Sequence, residues 1–175
     1  TPAIIALQMC SGLNPDDNIA TLKQALAALP NTRPLLVCLP EAFLVFSKHA
    51  GDTLLVSQRI EQYKQQISEL CRKHNIWLNA GTMPVPYNQH KYYAASHLFN
   101  NQGDIVASYN KIHLFDVEVD DQTGSYRESD FTQAGDEVVV VDSPFGKIGL
   151  TVCYDLRFAG LFNALARKGA EIILT

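Results

Sequence analysis

The sequence predicts one α/β domain built on a mixed sheet, with helices packed on its outside. Short apolar runs alternate with segments of helical periodicity along the whole chain. The run Leu35-Leu-Val-Cys-Leu39 is continuously apolar, as a strand covered on both faces should be. Residues 94–100 and 105–111 are strand-like and flank the turn Asn101-Gln-Gly-Asp104, which makes a hairpin.

Taken in order, residues 3–9 read as a buried strand. Asn14-Pro-Asp-Asp then starts a helix whose Ile19, Leu22, Leu26 and Leu29 share one face until Pro30. The second strand, 35–39, is stopped by Pro40-Glu41. A longer helix carries Val56, Ile60, Tyr63, Ile67 and Leu70 on one face and ends near Lys73-His-Asn75. Strands follow at 76–82 and 94–100, separated by a polar loop over 84–91, and 105–111 completes the hairpin. Residues 115–134 lack periodicity and form a long acidic loop, of a length that is commonly functional in a compact domain. A further hairpin joins 138–141 to 147–152 through Asp142-Ser-Pro-Phe-Gly146. Phe158, Leu161, Phe162 and Leu165 recur at helical spacing up to Gly169, and 171–175 is a last strand.

Composition narrows the function. With 175 residues, 47% apolar content and a net charge of −4, residues 1–175 form a single domain able to bury a core. The mildly acidic balance argues against a nucleic-acid partner. No run approaches the roughly 20 apolar residues that span a bilayer. The opening Thr1-Pro-Ala-Ile-Ile-Ala-Leu lacks the basic region of a signal peptide, so no membrane partner and a cytoplasmic location are expected. Cys10, Cys38, Cys71 and Cys153 are far apart and read as free thiols, and without HxH or HExxH spacing neither a metal nor a cofactor is expected. The missing initiator Met and the ending within Glu171-Ile-Ile-Leu-Thr175 predict a domain incomplete at one or both ends.

The stretch Lys147-Ile-Gly-Leu-Thr-Val-Cys-Tyr-Asp-Leu-Arg157 holds the clearest chemistry, because an apolar run stops at a thiol and a polar cluster. At a strand-to-helix turn Cys153 is exposed, has backbone N–H groups nearby for a developing oxyanion, and feels a dipole that favours thiolate. A free thiol is mostly protonated at neutral pH, so a nucleophile needs a neighbouring base or a lowered pKa. Glu41 also follows an apolar strand, and strand carboxyl ends line the ligand crevice of open α/β sheets. Lys111 closes the run 105–111. From local context alone both also read as solvated loop charges. His113, two residues further on, is a rival base for a Cys–His pair, but no local signature accompanies it and a structural histidine is the plainer reading.

Five segments together carry a family resemblance: Ile5-Ala-Leu-Gln-Met9, Leu39-Pro-Glu41, Tyr109-Asn-Lys-Ile-His-Leu-Phe-Asp116, Tyr126-Arg-Glu-Ser129 and Gly146-Lys-Ile-Gly-Leu-Thr-Val-Cys-Tyr-Asp-Leu-Arg-Phe158. The chain resembles the nitrilase, or carbon–nitrogen hydrolase, superfamily over essentially its whole length, and within it the branch of deaminated glutathione amidase and ω-amidase. The resemblance implies an αββα sandwich with Glu41 as general base, Lys111 as the cation facing the tetrahedral intermediate, Cys153 as nucleophile and Glu128 as a supporting glutamate. The Tyr154 backbone N–H joins Lys111 in holding the oxyanion. Asp155 and Arg157 are expected to fix the elbow as a local ion pair, with Arg157 also available to a substrate carboxylate. The implied reaction is hydrolysis of a small linear amide through a Cys thioester, releasing ammonia without a cofactor.

Two departures from that branch stand out. Ala159-Gly160-Leu161 follows Phe158 where Pro-Glu-Leu is usual, which removes an anchor at the helix start, and Tyr92-Tyr-Ala-Ala-Ser96 lacks the usual Asn-Thr. The resemblance also implies a homo-oligomer and a further segment that completes the sandwich, since a sheet ended at Ile172-Ile-Leu174 leaves an apolar edge. The alternatives are an inactive fragment or assembly partner of the same fold, nitrile or carbamoyl hydrolysis, and a Cys–His acyl transferase using His113.

Overall fold

A computed structural model describes residues 1–118 and 125–175. Strand β1 (Ala3–Ala6) leads to helix α1 (Pro15–Ala27). The Asn14 side chain accepts the Asp16 N–H, Pro15 opens the helix, and Asp16 and Asp17 sit in its first turn, all of which favour a start there. Strand β2 (Leu35–Cys38) follows.

The single long helix expected around Val56 to Leu70 is in fact two, α2 (Ala50–Ser57) and α3 (Ile60–His74). Buried Ser57 turns its hydroxyl back onto the Leu54 carbonyl at 2.6 Å, and Arg59 N–H bonds the Val56 carbonyl at 3.0 Å, so local hydrogen bonds close the first helix. Helix α3 ends with Asn75 in the left-handed region, after Arg72, Lys73 and His74.

Strands β3 (Trp77–Asn79) and β4 (Met83–Pro86) run along the same side of β5 (Tyr92–Phe99), and β6 (Ile105–Asn110) pairs on its other side as the expected hairpin. Strand β4 occupies part of the expected polar loop, and its two prolines are tolerated because it lies at an edge. Within the expected acidic loop, β7 (Asp116–Glu118) and β8 (Ser125–Arg127) form a two-stranded ribbon followed by a 3₁₀ turn, Glu128–Asp130. Residues 119–124 of that loop lie outside the described residues.

Besides that ribbon, the described strands form two sheets where local patterning alone predicts one mixed sheet. Strands β1 to β6 make a six-stranded sheet, whereas β9 (Val140–Val141), β10 (Ile148–Leu150) and β11 (Ile172–Leu174) make a separate three-stranded one. Packing explains why. Leu35 and Val37 of β2 face the buried side chains of α1 and α3, while Leu36 faces Leu98, Tyr109, Ile148 and Leu150. The second sheet therefore stacks on the inner face of the first. Helix α4 (Ala159–Arg167) covers its outside, with Leu165 against Gly149, where an added Cβ would meet Leu165 at 3.0 Å. The layers run helix, sheet, sheet, helix, as the family resemblance implies. Among the described residues no helix is long and apolar enough to cross a membrane.

Candidate active site

Three chain segments converge at the carboxyl ends of β2, β6 and β10. After β2, Leu39 N–H bonds the Asn79 carbonyl and Ala42 N–H bonds Thr82 Oγ1 at 2.7 Å, which ties the turn carrying Glu41 to the link between β3 and β4. Gly81 lies directly beneath it. A Cβ there would stand 1.9 Å from the Pro40 carbonyl oxygen, and the residue has φ +46°, so only glycine fits.

Lys111 follows β6 and is 2% exposed. Its backbone is pinned on both sides, N–H to the Ala94 carbonyl and C=O to the Gly135 N–H. Its Nζ donates to Glu41 Oε1 at 3.1 Å and to Glu128 Oε2 at 2.9 Å. Burial alone would push the Lys111 ammonium down, but the two carboxylates outweigh it and hold its pKa above the ordinary lysine value. Glu128 is fixed in turn, since its Oε2 also accepts the Phe115 N–H at 2.6 Å.

Cys153 follows β10 on a residue with φ +46° and is exposed. Ala42, next to Glu41, has φ +54°, so two of the three non-glycine residues with positive φ among the described ones flank this site. The expected strand-to-helix turn is present, and its form is specific. A 3₁₀ turn, Cys153–Arg157, intervenes before α4 begins at Ala159, so the α-helix start is six residues from the thiol. The expected bias toward thiolate is absent. Burial and the neighbouring Glu41 carboxylate push the Cys153 thiol up, and Lys111 only partly opposes them.

The expected ion pair between Asp155 and Arg157 does not form. Asp155 is fully buried and accepts Tyr109 Oη–H at 2.6 Å, Val152 N–H at 2.9 Å, and His113 N–H and Nδ1 at 3.0 and 2.7 Å. Its oxygens are thus filled by groups nearer than Arg157, which is exposed and pairs with no carboxylate among the described residues. His113 stacks on Phe158 with ring centroids 3.7 Å apart, so its ring is committed to this cluster. Tyr154 packs edge-on against Phe115 and Phe158. Sequence reasoning assigned no role to Tyr109; its place two residues before Lys111 on a strand, facing the same side, was the available signal.

The geometry brings Glu41, Lys111, Glu128 and Cys153 into one cluster and sets Arg157 apart from it. Chemically the cluster offers a thiol, a carboxylate beside it and a buried ammonium, which is the equipment for acyl transfer. Among the described residues no group of three or more His, Cys, Asp or Glu is arranged to hold a metal.

Residues 3–175 match the carbon–nitrogen hydrolase family. Deaminated glutathione amidase of Yersinia enterocolitica is 42% identical over 173 residues, covering 97% of this chain and 60% of that protein. The Mus musculus protein of the same name is 37% identical, covering 98% and 55%, and omega-amidase NIT3 of Saccharomyces cerevisiae is 34% identical, covering 95% and 60%. The chain thus spans little more than half the length of these curated relatives. Among solved structures, the Caenorhabditis elegans NitFhit protein superposes with a TM-score of 0.88 at 30% identity, over 97% of this chain and 42% of that one. Nit3 of Saccharomyces cerevisiae, a member of branch 10 of the nitrilase superfamily, gives 0.77 at 27% identity, over 97% and 62%.

Proposed function

Because the chain belongs to the carbon–nitrogen hydrolase family, we propose that it is a thiol amidase that cleaves the C–N bond of a small linear amide, of the kind found in deaminated glutathione or the ω-amide of a 2-oxo acid. The observation that carries this reading is the Lys111 ammonium, 2% exposed and held between Glu41 and Glu128 beside Cys153. A buried cation that two carboxylates keep charged costs a fold too much to serve packing alone. The substrate class is supported by the names of the relatives that match almost the whole of this chain.

The proposed sequence of steps uses these groups alone. Glu41 takes the proton of the Cys153 thiol, and the sulfur attacks the amide carbonyl carbon. The C=O electron pair moves onto oxygen, facing the Lys111 ammonium and the Tyr154 backbone N–H. The carbonyl re-forms as the C–N bond breaks, Glu41 returns its proton to the leaving nitrogen, and ammonia departs. Water, deprotonated by Glu41, then adds to the thioester, and collapse gives the carboxylic acid and the thiol. A raised thiol pKa suits this course, since attack coupled to proton transfer needs a base in contact rather than a standing thiolate.

Acid quenching during turnover followed by intact-mass measurement tests the reading. It predicts an acyl adduct on Cys153 that neutral hydroxylamine removes. Turnover with no adduct, or with an adduct on another residue, would contradict it.

A further inference from the structure

The cluster around Asp155 is not required by any step above, yet it joins the two segments that carry Lys111 and Cys153. Tyr109 and His113 stand two residues either side of Lys111, and Val152 and Asp155 stand one before and two after Cys153. One carboxylate takes hydrogen bonds from both segments: Tyr109 Oη–H and Val152 N–H at Oδ2, His113 N–H and Nδ1 at Oδ1. The Tyr109 oxygen also accepts the Ile112 N–H at 3.2 Å, which fixes the backbone next to Lys111. The network crosses between the two sheets, since Tyr109 belongs to the six-stranded sheet and Val152 follows β10 of the other. Tyr109 and Asp155 are both completely buried, where a hydrogen bond to a carboxylate is strong and its loss is felt.

We propose that Tyr109, His113 and Asp155 form a latch between the two sheets that sets where Cys153 stands relative to Lys111 and Glu41. They are positioning residues rather than catalytic ones. The latch gives the His113 ring, so near Lys111 in sequence, its place against Asp155 and Phe158. It also gives the Cys153 backbone, held at φ +46°, an anchor on either side through Val152 and Asp155. The proposal rests on Glu41, Lys111 and Cys153 acting together as described above.

Cys153 reports its own surroundings through the pH at which it alkylates. With Cys10 replaced by Ser, the midpoint of iodoacetamide labelling at Cys153 should lie above the ordinary thiol value in the otherwise unchanged chain. Tyr109→Phe and His113→Ala should lower that midpoint toward the ordinary value and reduce kcat roughly 10- to 100-fold, with KM little changed. His113→Asn, whose amide can donate to Asp155 in place of Nδ1, should restore both. If Tyr109→Phe does not fold, the His113→Ala and His113→Asn pair decides, since the His113 side chain is a quarter exposed. A midpoint unmoved in folded Tyr109→Phe and His113→Ala overturns the latch. Glu41→Gln separates the two ideas: a lowered midpoint there with none in the latch variants leaves the proposed chemistry standing and removes the latch alone, while no change in Glu41→Gln removes the site reading itself.

Discussion

At the scale of single residues, Lys111 and Cys153 carry different loads. In the proposed mechanism Lys111 stabilises charge that develops on oxygen, whereas Cys153 makes the bond. Losing one oxyanion partner costs about 3 to 4 kcal/mol, a few-hundred-fold in rate, while losing the nucleophile removes the covalent route. Lys111→Ala should therefore leave slow but measurable ammonia release and Cys153→Ala almost none; equal residual rates in a steady-state assay would contradict the assigned roles. Much of this cluster was legible through the family motifs that carry Glu41, Lys111 and Cys153, whereas local context alone left Glu41 and Lys111 as solvated loop charges. The partners of Asp155 were not legible. A sequence places Asp155 next to Arg157 on a turn and invites an ion pair, but only the stacking of two sheets brings Tyr109 and His113 close enough to take both carboxylate oxygens first.

At the scale of elements, the turn after β2 depends on a contact that local propensity does not announce. Gly81 passes so close under Pro40 that any side chain displaces the backbone immediately before Glu41. Gly81→Ala should destabilise the fold by at least about 2 kcal/mol, from the left-handed φ and the forced shift together. It should also lower kcat in whatever fraction stays folded, because Thr82, the next residue, holds the Ala42 N–H beside Glu41. A variant with unchanged denaturation midpoint and rate would show that the turn is not so tightly fixed. The same lesson covers the elements misplaced by pattern. Helices α2 and α3 share an apolar periodicity that runs through their junction, and only the Ser57 hydroxyl reveals the break. Strand β4 looks like a loop because of Pro84 and Pro86, yet as an edge strand it needs few of the N–H groups they lack.

At the scale of the whole molecule, the six-stranded sheet buries a titratable side chain. His97 of β5 is 4% exposed, its Nδ1 meets Ser108 Oγ at 2.8 Å, and its Nε2 has no partner among the described residues. Burial lowers its pKa from 6.5 to about 4. The unfolded chain then binds a proton that the folded one refuses, so stability is complete above pH 6.5 and declines as the pH falls through that value toward 4, by on the order of 3 kcal/mol. Chemical denaturation between pH 7 and 4 should show this decline, and His97→Phe should flatten it; an equal decline in both would place the acid sensitivity elsewhere. The two-sheet layering was legible only through family resemblance, since alternation along β10 says that Ile148 and Leu150 are buried without saying against which sheet. The claim on which the rest depends is that the Cys153 thiol, set beside Glu41 and Lys111, hydrolyses a small amide. Ammonia release from a panel of ω-amides of 2-oxo acids, measured for the purified protein and for Cys153→Ala, tests it most directly. Release that the substitution abolishes is the expected result; release at the same rate from Cys153→Ala, or none from the unsubstituted protein, would overturn the assignment.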